Sequence, residues 1–246
     1  MDKMLYLGMT GARHTALAQA TNANNLANVS TTGFRADFNS LFSQQIEGPG
    51  HATRTNALSG DDGIDLTPGA IQHTGRSLDI AMGGDGWFVV QDESGREAYS
   101  RRGDLNLTAN GQLVLGSGES LLGEGGPIAV PEHRSLSIGG DGSVSIVPLG
   151  QGPETQVVID RIRMVTLDNN QIVKGEDGLI RQRNGAGGTP DASLKLVSGS
   201  LESSNVNAVD AMVRMIQLAR RYEMDVKVMS TAGEMADAGS RLMRLS

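Results

Sequence analysis

"GWFVVQDESGREAYSRRGDLNLTANGQLVL", residues 86–115, decides the fold. Short apolar runs rich in Val and Leu alternate in it with clusters of Gly, Asn and Asp, at a spacing too tight for a helix. The pattern predicts strands at Trp87–Gln91, Ala98–Arg101, Leu105–Leu107 and Gln112–Leu115, separated by turns at Gly95, Gly103 and Asn110-Gly111. The same grammar continues in "SLSIGGDGSVSI", residues 135–146, where alternation on both sides of Gly139–Gly142 reads as a hairpin. It resumes over 156–167, and "KGEDGL" at 174–179 reads as another tight turn. The economical interpretation is a central antiparallel β domain.

Outward from this centre the period changes from two to between three and four. Towards the amino terminus Leu5, Met9, Ala12, Ala16, Ala20, Ala23 and Ala27 trace one narrow stripe of a helix. Alanine stripes allow close approach but bury little area, so this helix depends on packing against a neighbour. Towards the carboxy terminus Met212, Met215, Ala219, Tyr222, Val226, Met229, Gly233 and Ala236 keep a three-four alternation, beside a second stripe of Val206, Val209, Val213 and Ile216. A helix of about 35 residues is predicted there, with Ser204 or Asn205 as its cap and Asn207 with Asp210 as a further capping pair. The fold class is therefore α+β: terminal amphipathic helices pairing as a coiled coil, with a central antiparallel β domain. The expected divisions are 1–35, an amino-terminal helix and turn; 36–75, an extended connector with Pro49, Gly50, Gly60, Gly63, Pro68 and Gly69 and some short pairing; 76–200, the β-rich domain; and 201–246, the carboxy-terminal helix.

Between the first helix and the connector lies "NANNLANVSTTGFRAD", residues 22–37. Its asparagines compete for backbone hydrogen bonds and weaken an isolated helix, while offering donors and acceptors to neighbouring chains. Gly33 is free to turn the chain in a left-handed conformation, and Phe34 and Arg35 are expected to face outward beyond it.

Composition limits the chemistry. The chain of 246 residues has 33 Gly but only 1 Trp, 3 Tyr and 4 Phe, so the core is short of bulk and rich in turns. A net charge of -7 gives no footprint for nucleic acid, and no membrane insertion is expected. The absence of Cys excludes disulfides and thiolate metal sites. His14, His51, His73 and His133 are scattered, without the spacing of a helical zinc pair, and neither a phosphate loop nor a nucleophile elbow is present. An enzyme or a carbohydrate-binding module would supply a convergent polar or aromatic set, and none is visible, so no catalytic role, metal or cofactor is expected. The start of the chain lacks the uninterrupted apolar stretch of a cleaved signal.

Two stretches carry a resemblance. "NNLANVSTTGFRAD", residues 24–37, is similar to the amino-terminal signature of the bacterial flagellar axial proteins of the basal-body rod and hook. "LESSNVNAVDAMVRMIQLARRYEMDVKVMS", residues 201–230, resembles their carboxy-terminal one, and residues 84–115 resemble the segment between. "MDKMLY", Trp87, "GPIAVPE" at 126–132 and "ARRYEM" at 219–224 look most like a proximal-rod subunit, with a distal-rod or other axial subunit as the alternative. The resemblance implies a structural protein whose terminal helices form an inner coiled-coil tube and whose subunits, stacked helically, transmit torque across the periplasm. It implies copies of itself, neighbouring proximal- and distal-rod proteins and the flagellar type III export apparatus as partners, with export in the absence of a cleaved signal. By position it places Leu5, Met9, Leu26, Val206, Val209, Met212, Met215, Ala219, Tyr222, Val226 and Met229 in subunit contacts, and Asn25, Asn28, Gly33 and Phe34 in the turn out of the tube.

Overall fold

The computed structural model describes residues 2–45, 55–152 and 154–244. The protein is α+β, and it divides into two compact units. One comprises Met1–Val29, Ala36–Asp65 and Val206–Ser246; the other, Ser30–Arg35 and Leu66–Asn205.

In the first unit helix α1 (Asp2–Ala27) packs against helix α2 (Ala208–Arg244), and an antiparallel hairpin of β1 (Asp37–Gln45) and β2 (Thr55–Ile64) joins them. Within the expected connector with some short pairing over 36–75, the pairing takes up the first half, which folds back on itself from Asp37↔Ile64 to Gln45↔Thr55. The glycines that argued for irregularity are part of the pairing: a Cβ at Gly63 would run into the Phe38 ring, and the Phe42 ring lies over Gly60 in the same way. Aromatic rings covering strand glycines restore the packing that a missing side chain gives up. Pro49, Gly50 and His51 lie outside the described residues.

α2 starts later than Ser204 or Asn205 predicted. Asn207 is its cap, the side-chain Oδ1 accepting from the Val209 and Asp210 N–H groups at 2.9 and 3.4 Å. Asn205 is engaged elsewhere, donating its N–H to the Phe34 carbonyl at 3.3 Å and its amide to the Thr67 carbonyl at 3.1 Å.

The second unit is an antiparallel β domain. Its largest sheet runs Ile172–Lys174, Ile180–Gln182, Glu97–Ser100, Trp87–Gln91, Ser120–Gly123, Leu113–Leu115, Leu105–Leu107. A three-stranded sheet (His133–Ile138, Ser143–Pro148, Val157–Arg161) lies beside it. Two strand pairs complete the unit: Lys195–Ser198 with Ile80–Gly83, and Ser200–Glu202 with Ile71–His73. The predicted strands of residues 86–115 all form, because their apolar residues fill one core with Ile80, Phe88, Val90, Leu105, Leu113, Leu115 and Leu121. The turns follow their glycines: Gly95, Gly111, Gly142 and Gly178 all have positive φ, which a β-carbon disfavours.

Arg181 ties two of these turns together, donating to Asp177 at 2.6 Å and to Asp92 at 2.8 Å. The Arg181 hydrogen bonds hold the Asp177 carboxyl below the ordinary carboxylate range. Asp92 is held lower still, first by the Ser94 hydroxyl and the Arg96 N–H, with Arg181 adding to them. Carboxyls depressed in the folded state stabilise it above their unfolded pKa of about 4, and that contribution disappears as pH falls through the folded values. Melting of the β domain, followed by Trp87 fluorescence, is expected to be flat from pH 7 to about 5 and to fall below about 4. Arg181→Met should shallow that fall; equal acid sensitivity in the variant would show that this cluster is not its source.

Candidate functional site

Small and polar residues form the seam between α1 and α2. Gly8 lies under Met229, whose Cγ would be 2.8 Å from a Cβ there, and Gly11 faces Asp225. Thr15 donates its hydroxyl to Asp225 at 2.9 Å, and Asn22 donates its amide to the Ala211 carbonyl at 2.8 Å. Gly8 near 229 and Asn22 near 211 make the pair antiparallel. On α2 the covered positions include Ala211, Met215, Leu218, Ala219, Asp225, Met229, Ala232, Gly233 and Ala236, most of them three, four or seven residues apart.

The predicted stripes therefore split between two destinations. Met215, Ala219 and Met229 are half-buried on the seam side of α2, and Leu26 and Val206 are half-buried too. Leu5, Met9, Val209, Met212, Tyr222 and Val226 are exposed, as are Val213, Ile216, Met224, Val228 and Met235. On α1 the alanine stripe is turned roughly a quarter-turn off the seam at 100° per residue: Ala12 is buried while Ala16, Ala20, Ala23 and Ala27 are exposed. The physical reason is that glycines and hydrogen-bonded polar residues made the closest intrachain packing, leaving the apolar faces uncovered.

The asparagines expected to offer hydrogen bonds to neighbouring chains act within this one. Asn25 clamps the start of β1, donating to the Asp37 carbonyl at 2.7 Å and accepting the Asp37 N–H at 2.9 Å, as a paired strand would. Asn28 donates its amide to the Asn24 carbonyl at 3.0 Å, closing the last turn of α1.

In the β domain, residues 30–35 form a built site. Gly33 has φ +66° and donates its N–H to the Glu202 carbonyl at 2.8 Å. Arg35, expected to face outward, is instead buried at 2% exposure and donates to Glu202 Oε1 at 2.5 Å. Arg101 reaches Glu202 Oε2 at 3.4 Å, and its guanidinium lies 5.1 Å from the centre of the Trp87 ring. Glu202 also accepts the Gly69 N–H at 2.9 Å. Phe34 stays half-buried with the Lys174 ammonium 3.8 Å from its ring centre, and Lys174 donates to the Arg35 carbonyl at 3.0 Å. Burial pulls the Arg101 pKa down; the Glu202 charge opposes this, and Arg35 adds to the lowering. Two guanidiniums thus share one buried carboxylate, and Arg35 Nε and Nη1 and Arg101 Nε have no hydrogen-bond partner. Such a cluster stabilises weakly for its desolvation cost, but removing one partner leaves an uncompensated buried charge. The sequence pattern placed Arg101 at a strand end and Gly103 in a turn of the β domain and passed over Glu202, because no periodicity links residue 35 to residue 202.

Among the described residues no group of three or more His, Cys, Asp or Glu is placed to hold a metal, and no helix is long and apolar enough to cross a membrane. Comparison with known proteins adds three matching family profiles. "Flagella basal body rod protein" matches residues 5–35, "Flagellar hook protein FlgE/F/G D1 domain" residues 81–146, and "Flagellar basal body rod FlgEFG protein C-terminal" residues 197–242. The chain is 40% identical to the flagellar basal-body rod protein FlgF of Salmonella typhimurium and 39% identical to that of Escherichia coli, in each case over the whole of both chains. The rod protein FlgG of Bacillus subtilis is 34% identical over 95% of this chain and 96% of its own. The chain belongs to the flagellar basal-body rod protein family, and within it is FlgF-like.

Proposed function

We propose that the chain is a structural subunit of the proximal part of the flagellar rod, joined to its neighbours through the exposed apolar faces of α1 and α2. The observation that carries this is the row of Val209, Met212, Val213, Ile216, Met224, Val228 and Met235 left open on α2 in a chain FlgF-like from end to end. Apolar faces of this extent on a helix pair call for partners. Helical stacking through them, as an inner coiled-coil tube, gives a stiff shaft that passes torque across the periplasm. The partners are copies of this chain and other rod proteins, including FlgG. Passage unfolded through the flagellar type III export apparatus fits terminal helices that complete their burial only in the assembly. The role is mechanical, without catalysis.

Ile216→Asp tests the reading. Ile216 is 57% exposed, so the variant's own melting should stay within about 0.5 kcal/mol of the parent. A strain deprived of its FlgF-like protein and supplied with this variant is expected not to swim. Normal swimming on soft agar would overturn the assembly face.

A further inference from the structure

We infer that Met9, Met212, Met224 and Met235 form an oxidation-sensitive surface, whose conversion to methionine sulfoxide blocks assembly until it is reduced. The inference rests on the assembly reading above. Of the 11 methionines, only Met82 and Met164 belong to the β domain, where they are 2% and 7% exposed. Met9, Met212, Met224 and Met235 are between 52% and 60% exposed, on the two helices whose apolar faces await partners. Met215 and Met229 are half-buried against α1, which gives a middle class.

Exposure decides the chemistry here, because the thioether sulfur is the nucleophile. Its lone pair attacks one oxygen of hydrogen peroxide, the O–O bond breaks, an S–O bond forms and water leaves. Sulfur loses two electrons and the peroxide gains them. The product is polar and chiral where the face needs an apolar, adaptable side chain. Burying it against a neighbouring subunit strands a strong acceptor without a donor. Thiol-dependent sulfoxide reductases reverse the step, returning the oxygen as water while two thiols become a disulfide.

The experiment treats the full chain with hydrogen peroxide, maps each methionine by peptide mass, and measures self-association by sedimentation before treatment, after it, and after reductases for both sulfoxide epimers. Met9, Met212, Met224 and Met235 should oxidise at least tenfold faster than Met82 and Met164. The associated fraction should fall at least tenfold and recover on reduction. A variant with leucine at all four positions should associate like the parent and ignore peroxide. Full oxidation with unchanged association, or equal sensitivity in the leucine variant, overturns the inference while leaving the assembly reading standing. Failure of the untreated chain to associate overturns both.

Discussion

Glu202→Ala is expected to destabilise the β domain by about 3–5 kcal/mol, the cost of breaking a buried ion pair from one side. The carboxylate is the only counter-charge among the described residues that hydrogen-bonds both the Arg35 and Arg101 guanidiniums, and both are nearly solvent-free. Removing it leaves two buried cations facing each other and frees the Gly69 N–H from its acceptor. With a urea slope of about 2 kcal/mol/M, the midpoint should drop by about 1.5–2.5 M. Trp87, the chain's single tryptophan, sits beneath Arg101 and reports that transition in the full chain, while circular dichroism follows the helices. Arg35→Met should cost less, because Glu202 keeps Arg101 and the site becomes one-to-one. A variant order with Arg35→Met worse than Glu202→Ala would show that packing of the arginine stem, not charge balance, holds segment 30–35.

This cluster marks the boundary of what one-dimensional pattern reveals. The strands of residues 86–115 were legible because each is a local event: an apolar run between glycine turns dictates its own pairing partner a few residues away. The helices were legible for the same reason, though their apolar stripes divide between the seam and the exposed faces. The seam of α1 was not, since Gly8, Gly11, Thr15 and Asn22 carry no hydrophobic signal and work by closeness and hydrogen bonding. Asp225 interrupts the apolar pattern of α2 by the same means: a charged residue occupies a covered position because Thr15 satisfies it. The β1–β2 hairpin was masked by Gly60 and Gly63, which read as breakers until the phenyl rings of Phe42 and Phe38 are seen over them. Arg35 and Glu202 lie 167 positions apart, a separation that only the folded chain closes.

Gly33→Ala is the second large effect expected, and it follows from two independent costs. At φ +66° an L-residue gives up roughly 1–2 kcal/mol of backbone energy. The new Cβ would also stand 2.5 Å from the Arg102 nitrogen and 2.6 Å from the Arg101 carbonyl oxygen, so it meets backbone, not a side chain able to rotate away. That backbone is fixed on both sides: Arg101 is held by Glu202, and Arg102 by Asp104 at 2.6 and 2.8 Å. Segment 30–35 must therefore lift off, losing the Gly33–Glu202 hydrogen bond and the Arg35 ion pair with it. A loss of about 3 kcal/mol or more in the Trp87-detected transition is expected. Gly75→Ala is the matched control, with φ +75° and nothing within 4 Å of its Cβ, so it carries the backbone cost alone, about 1–2 kcal/mol. Gly33→Asn separates the terms further, since asparagine tolerates the left-handed region yet keeps a Cβ. If close approach dominates, Asn and Ala at 33 are equally damaging and both exceed Ala at 75. If Asn restores the parent midpoint, the dihedral alone explains the glycine, and the tight seat of the turn against Arg101 carries no energetic weight.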